Sequence, residues 1–207
     1  IRDLETGADR DEKIEKAGSG ATWMNDSKSF FYVELDENHR PFRVRRHVLG
    51  TAQADDEIVY EEKDPGFFVG VSQTQSRRFI TISAHDHQTS EVWLIDADKG
   101  GTPVCVEPRH ENTEYSVEER AGTLYILTND DAAEDFKITT APLAAPGVAN
   151  WTDLVPHEPG TLILDFELLA NHLIRLERKD GLPRIVVRDL RTHREETIAF
   201  PEEAYSL

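Results

Sequence analysis

Short apolar runs recur along this chain at a nearly constant step, and that period restricts the fold more than any other feature. Val, Ile, Thr, Tyr and Phe cluster in runs of four to eight residues separated by Gly, Pro, Asn and Asp, the pattern of strands and turns. Strands are expected at residues 30–35, 42–48, 58–61, 67–72, 79–83, 92–95, 104–106, 115–117, 124–128, 136–140, 153–155, 162–168, 173–176, 185–188 and 197–200. In 162–169 a helix stays open, because short apolar runs do not separate the two states. The second run of each group is centred near Phe31, Ile80, Tyr125 and Leu173, at steps of 49, 45 and 48. The third is near Val44, Leu94, Ile138 and Val187, at steps of 50, 44 and 49. Four strands per repeat of about 45 to 50 residues is the signature of a β-propeller blade.

Several runs are apolar on successive residues, as in Phe30-Phe31-Tyr32-Val33 and Leu124-Tyr125-Ile126-Leu127. Strict alternation suits a sheet with one wet face, whereas these suit sheets covered on both faces. A β-sandwich also uses short strands and turns, but the regular step favours the propeller. The expected fold is therefore all-β, with about four four-stranded blades at residues 21–64, 67–110, 113–159 and 161–200. Residues 1–20 are expected to be the end of a preceding blade and a linker, with a strand and turn at Ile1 to Thr6. Ala204 to Leu207 reads as the start of a further strand. In a segment cut from a ring the end blades would lack a neighbour. Residues of the 30–35 strand at one end, and Leu173, Leu176, Ile185 and Val187 at the other, are then expected to be bare and to drive self-association.

Charge excludes several classes of function. Of the 207 residues, 23 are Lys or Arg and 40 are Asp or Glu, a formal net charge of −17. Nucleic acid is disfavoured as a partner because its affinity comes from neutralised phosphates, and an anionic membrane surface is disfavoured for the same reason. Basic peptides are what such a field attracts, and a surface that simply keeps the chain soluble is the alternative reading of the same charge. No apolar run approaches the roughly 20 residues of a membrane helix, and the acidic N-terminus has no hydrophobic signal region. Cys105 is the single cysteine, so neither an internal disulfide nor a thiolate zinc cluster is expected, and a cytoplasmic location fits.

Candidate chemistry is sparse. Gly18-Ser19-Gly20 lacks the outer spacing of a Gly-x-Ser-x-Gly nucleophile elbow and reads as a flexible linker. His85 and His87 would share a strand face at i and i+2, yet a metal would need further ligands from elsewhere, and a polar hairpin loop accounts for them. Asp55-Asp56 and Asp130-Asp131 lack the spaced acids and central Gly of a calcium loop and read as turn residues. Cys105 lies in an apolar run and reads as buried and inert. Arg43, Arg45 and His47 fall on one face of their strand, opposite Phe42, Val44, Arg46 and Val48. Salt bridges to acids such as Glu57, Glu61 or Glu62 are the expected use, with an interdomain or substrate contact as the functional alternative. No catalytic, cofactor-binding or metal-binding residue is assigned, and no cofactor is expected.

The wording of the chain carries more than its composition. Trp23-Met24-Asn25-Asp26-Ser27, FFYVELDENHRPFRVRRHVLGT (residues 30–51) and IVYEEKD (58–64) closely resemble the propeller of the prolyl oligopeptidase family of serine peptidases, in its oligopeptidase B (protease II) branch. The resemblance continues through TSEVWLIDAD (89–98), EYSVE (114–118), LYILTN (124–129), DFKI (135–138), LVPHEPG (154–160) and LPRIVVRDL (182–190), and includes LETG (4–7). It implies a seven-bladed propeller capping a C-terminal α/β-hydrolase domain that cleaves short peptides after Lys or Arg. The propeller would be the filter that keeps folded proteins from the catalytic serine. The triad and the acids that select a basic side chain would lie in the hydrolase domain, whose motifs are not in this sequence. The expectation is thus a non-catalytic, substrate-gating part of such a peptidase, inactive alone. A free-standing four-bladed binding module without peptidase activity is the alternative.

Overall fold

In a computed structural model the described residues are 1–200, and the expected strand within Ala204 to Leu207 lies outside them. The described residues form sixteen strands in four antiparallel sheets of four, each built from strands consecutive in sequence. The first sheet holds β1 (Thr22–Trp23), β2 (Ser29–Leu35), β3 (Pro41–Val48) and β4 (Glu57–Glu61). The second holds β5 (Phe68–Gln73), β6 (Phe79–His85), β7 (Ser90–Asp96) and β8 (Gly100–Cys105). The third holds β9 (Tyr115–Arg120), β10 (Thr123–Thr128), β11 (Lys137–Pro142) and β12 (Thr152–Val155). The fourth holds β13 (Thr161–Leu168), β14 (His172–Lys179), β15 (Leu182–Asp189) and β16 (Glu195–Thr197).

The residues that set the repeat sit on equivalent strands: Phe31, Ile80, Tyr125 and Leu173 on β2, β6, β10 and β14, and Val44, Leu94, Ile138 and Val187 on β3, β7, β11 and β15. The stretch open to helix is the strand β13. The two-residue β1 pairs Thr22 with Phe31 and Trp23 with Phe30, which makes the Phe31 strand the second of its sheet. In the segment Ile1 to Thr6, Asp3 Oδ1 accepts from the amides of Glu5 and Thr6, folding it into a turn closed by the Arg2–Asp9 bridge.

The chain divides into two compact units. In the first, β1–β6 and residues 93–105 meet around Met24, Phe31, Val44, Val69, Ile80, Ile82, Ile95 and Ala97, all nearly inaccessible to water. β2 is buried on both faces. Phe31 enters this core, while Phe30 and Tyr32 point the other way and lie beneath Trp23, His47 and the loop around Gln53 and Asp56. The expected bare face on residues 30–35 is therefore absent at Phe30, Phe31 and Tyr32. Local chain covers it.

In the second unit, Leu127, Ile138, Val155, Ile163, Phe166, Leu168 and Leu173 form the core between the third and fourth sheets. Leu173 is fully buried, against the expectation that it would be bare, because its side of β14 is the core side. Register places Ile174, Leu176, Ile185 and Val187 together on the opposite face, half-buried, and the first three line a groove of about 270 Å³.

Candidate functional site

The strongest concentration of polar chemistry inside the first unit is on β3 and the loop that follows it. His47 Nδ1–H donates to Asp56 Oδ1 at 2.8 Å, and Tyr32 Oη–H donates to Asp56 Oδ2 at 2.8 Å. The His47 and Asp56 side chains are 1% and 0% exposed. Burial first, and then the hydrogen bond to Asp56, push the Tyr32 phenol up to about 12. His47 Nε2 is buried and has no hydrogen-bond partner among the described residues, with the Phe30 ring centred 5.2 Å from the imidazole. A short 3₁₀ turn, Gln53–Asp55, delivers Asp56 to this position. Reading Asp56 as an ordinary turn residue is thus corrected, whereas Asp55 is exposed.

The basic group on β3 is neutralised by its neighbours. Arg43 lies 3.0 Å from Glu34 and 2.6 Å from Glu61, and Arg45 lies 2.5 Å from the same Glu34 oxygen. Burial pushes the Glu34 carboxyl up, but the hydrogen bonds from Arg45 and Arg43 outweigh it and hold the group below the usual carboxylate range. Arg46 turns to the other face and donates to Ser29 Oγ. Salt bridging accounts for Arg43 and Arg45, with Glu61 as expected and with Glu34, while His47 is hydrogen-bonded to Asp56. Glu62 accepts from the Tyr60 hydroxyl and the Asp64 amide.

The other candidates remain apart. His85 ends β6 and packs beside Phe68, while His87 lies past the strand in a bend, so they do not share a strand face. Among the described residues no three His, Cys, Asp or Glu side chains converge as metal ligands. Asp130 and Asp131 form a turn in which Asp131 adopts a left-handed backbone. Cys105 ends β8 and is half-buried, not buried as expected: this outer strand leaves Val104 62% exposed beside it. Ser19 lies between β1 and the Ala17–Glu34 bridge, remote from any strand-to-helix turn.

Sequence reasoning missed an acidic group in the second unit. The Gln75 amide donates to Glu118 Oε2 at 2.8 Å and the Gln75 side chain donates to Glu167. Burial, then the nearby charges of Glu167 and Asp165, raise the Glu118 carboxyl above the usual range against the opposing Gln75 bond. Nothing local marks these acids, since residues 75, 118 and 167 are brought together only by the fold.

Comparison with known proteins settles the family. The chain matches the family described as "Prolyl oligopeptidase, N-terminal beta-propeller domain" over residues 1–207. It is 31% identical over its whole length to 29% of a dipeptidyl aminopeptidase BI from Pseudoxanthomonas mexicana. It is also 32% identical, over 91% of its length, to 28% of a protease 2 from Moraxella lacunata. Among solved structures it is similar to oligopeptidase B from Leishmania major, with TM-score 0.91 and 27% identity, covering 98% of this chain and 30% of that one. Oligopeptidase B from Trypanosoma brucei gives TM-score 0.88 and 30% identity, over 93% of this chain and 28% of that one. The chain thus spans under a third of the length of these relatives. Its four meandering four-stranded sheets are propeller blades, and the chain belongs to the N-terminal β-propeller domain of the prolyl oligopeptidase family.

Proposed function

We propose that this chain is the non-catalytic, substrate-gating part of an oligopeptidase B-like serine peptidase that cleaves short peptides after Lys or Arg. The observation that carries this reading is the family match over residues 1–207, together with a structural likeness to oligopeptidase B that covers 98% of the chain. The partners are then a C-terminal α/β-hydrolase domain and short basic peptides, in the cytoplasm, and the seven-bladed ring is completed by sequence beyond these four sheets.

A test compares two proteins on an arginyl amide substrate. The isolated chain is expected to be inert, and a protein that continues into a hydrolase domain is expected to turn the substrate over and be stopped by a serine-directed inhibitor. Inhibitor-sensitive turnover by the isolated chain, or none by the longer protein, overturns the reading. The charge of −17 adds a second measurable: the specificity constant of the longer protein for cationic peptides should fall with salt, as the Debye length shrinks from about 10 Å at 0.1 M to about 3 Å at 1 M.

A further inference from the structure

A cleft of about 980 Å³ opens in the first unit between the segment Gly18–Trp23 and β5. Its size falls within the range of about 300 to 1,000 Å³ usual for ligand sites. Three features of its walls converge on one kind of ligand.

The first is unpaired main chain. Segment 17–23 runs beside β2 but is held at only two places, by the Ala17–Glu34 bridge and by the pairs Thr22–Phe31 and Trp23–Phe30. Four residues, 18–21, span what two residues of β2 span, so the segment bows away. Gly18 still donates to the Val33 carbonyl, but Ser19, Gly20 and Ala21 make no main-chain hydrogen bond among the described residues. Gly20 has φ +88°, and a Cβ placed there would meet nothing within 4 Å, so the bow faces open space. Across the cleft, β5 is the edge strand of its sheet. The Val71 carbonyl points off that edge, since it accepts from Thr22 Oγ1 at 3.3 Å. By the two-residue period of a strand, the main-chain groups of Val69 and Gln73 point the same way.

The second feature is an apolar floor of Val33, Leu35, Pro41 and Val71. The third is charge. Arg77 lines the cleft and is exposed, and its guanidinium has no carboxylate partner among the described residues of this strongly acidic chain. Its own carbonyl is fixed by the side-chain amides of Asn25 and Gln73.

Unpaired strand edges take up extended peptide by β-augmentation. An apolar floor takes every second side chain of such a strand, and a guanidinium is the natural partner of a carboxylate. We propose that this cleft binds a short extended peptide, with its main chain paired to residues 19–21 and the β5 edge, an apolar side chain on the floor, and its free C-terminal carboxylate at Arg77. The propeller then holds peptides as well as excluding proteins. The site needs no hydrolase domain, so its failure and that of the gating reading are separable: the peptide below is read by binding to this chain alone, without turnover.

The probe is acetyl-Val-Ala-Val-Ala with a free carboxylate, titrated into the purified 15N-labelled chain. Amide shifts at Gly20, Ala21 and Val71 are expected. The C-terminal amide of the same peptide, and Arg77→Gln with the acid, should each bind about tenfold more weakly. A peptide N-methylated on its central amides should lose binding, because it cannot pair with an edge. Unchanged dispersion of the Arg77→Gln spectrum shows that the fold persists, as expected at an exposed side chain. No binding, shifts confined to other residues, or equal affinity for the acid, amide and N-methylated peptides overturns the proposal.

Discussion

His47 and Asp56 lie nine residues apart in sequence and meet at 2.8 Å with both side chains shut off from water. Asp56 is also the acceptor for Tyr32, so one carboxylate satisfies two buried donors from two strands. Removing it strands both. Asp56→Ala should destabilise the chain by about 3 kcal/mol, the order expected when a buried, charged hydrogen-bond partner is deleted. Denaturant unfolding checks this, and a loss under about 1 kcal/mol would show that water takes the place of the carboxylate.

Alkaline pH tests the same cluster from the phenol side. The Tyr32 pKa is raised to about 12, first by burial and then by Asp56. The folded state therefore favours the protonated phenol more than the unfolded state does. This contribution is complete below about pH 10, where an unfolded tyrosine titrates, and it is lost as pH rises towards 12. Stability should fall across that window, and Tyr32→Phe should flatten the fall. Unfolding midpoints measured from pH 9 to 12 decide it.

The fourth sheet carries a different kind of buried charge. Glu177 is 2% exposed and accepts from Arg175 and, at 2.6 Å, from Arg184, while Arg175 also holds Glu195 at 2.7 Å. Burial alone would lower the Arg175 pKa, but its hydrogen bonds to Glu195 and Glu177 outweigh that and raise it. Glu177→Ala leaves Arg184 without its acid and Arg175 with Glu195 alone, and should cost about 3 kcal/mol. Arg175→Met with Glu177→Leu should recover much of that, because a well-packed apolar pair removes the desolvation penalty of the ions. A double-mutant cycle checks the pair, and a double variant weaker than Glu177→Ala would contradict the argument.

The groove beside Ile174, Leu176 and Ile185 bears on self-association. We expect the isolated chain to associate through this face, now that the face carrying Phe30 and Tyr32 is found to be covered. Light scattering at micromolar concentration should give a mass above 23.5 kDa for the chain, and Leu176→Lys should return it to monomer. A monomeric parent chain that binds no apolar dye would instead favour the free-standing module.

The period was legible because strand composition is local. Ile80, Ile82, Leu124 and Ile126 mark their strands whatever they pack against, and all are fully buried. What β2 and β14 bury was less legible. The apolar run in β2 signalled two covered faces, but not that Trp23, His47 and the Asp56 loop cover one of them. In β14 the core side alternates Leu173, Arg175 and Glu177, so two ions occupy positions that composition assigns to water. Asp56 reads as a turn residue in the sequence because its acceptor role depends on Tyr32, 24 residues away. The half-burial of Cys105 is not legible because an outer strand has a wet face that a three-residue apolar run does not announce.

Among the described residues every hydrogen-bonded ladder joins strands that are neighbours along the chain. A gene that gained or lost one such unit would leave every remaining ladder intact, so the size of the ring is free to drift by duplication or deletion while each blade stays the same. During synthesis, too, each meander has all its own pairing partners before the next is made, so a ribosome can release blades one at a time, with low contact order inside each and face-to-face packing left for last.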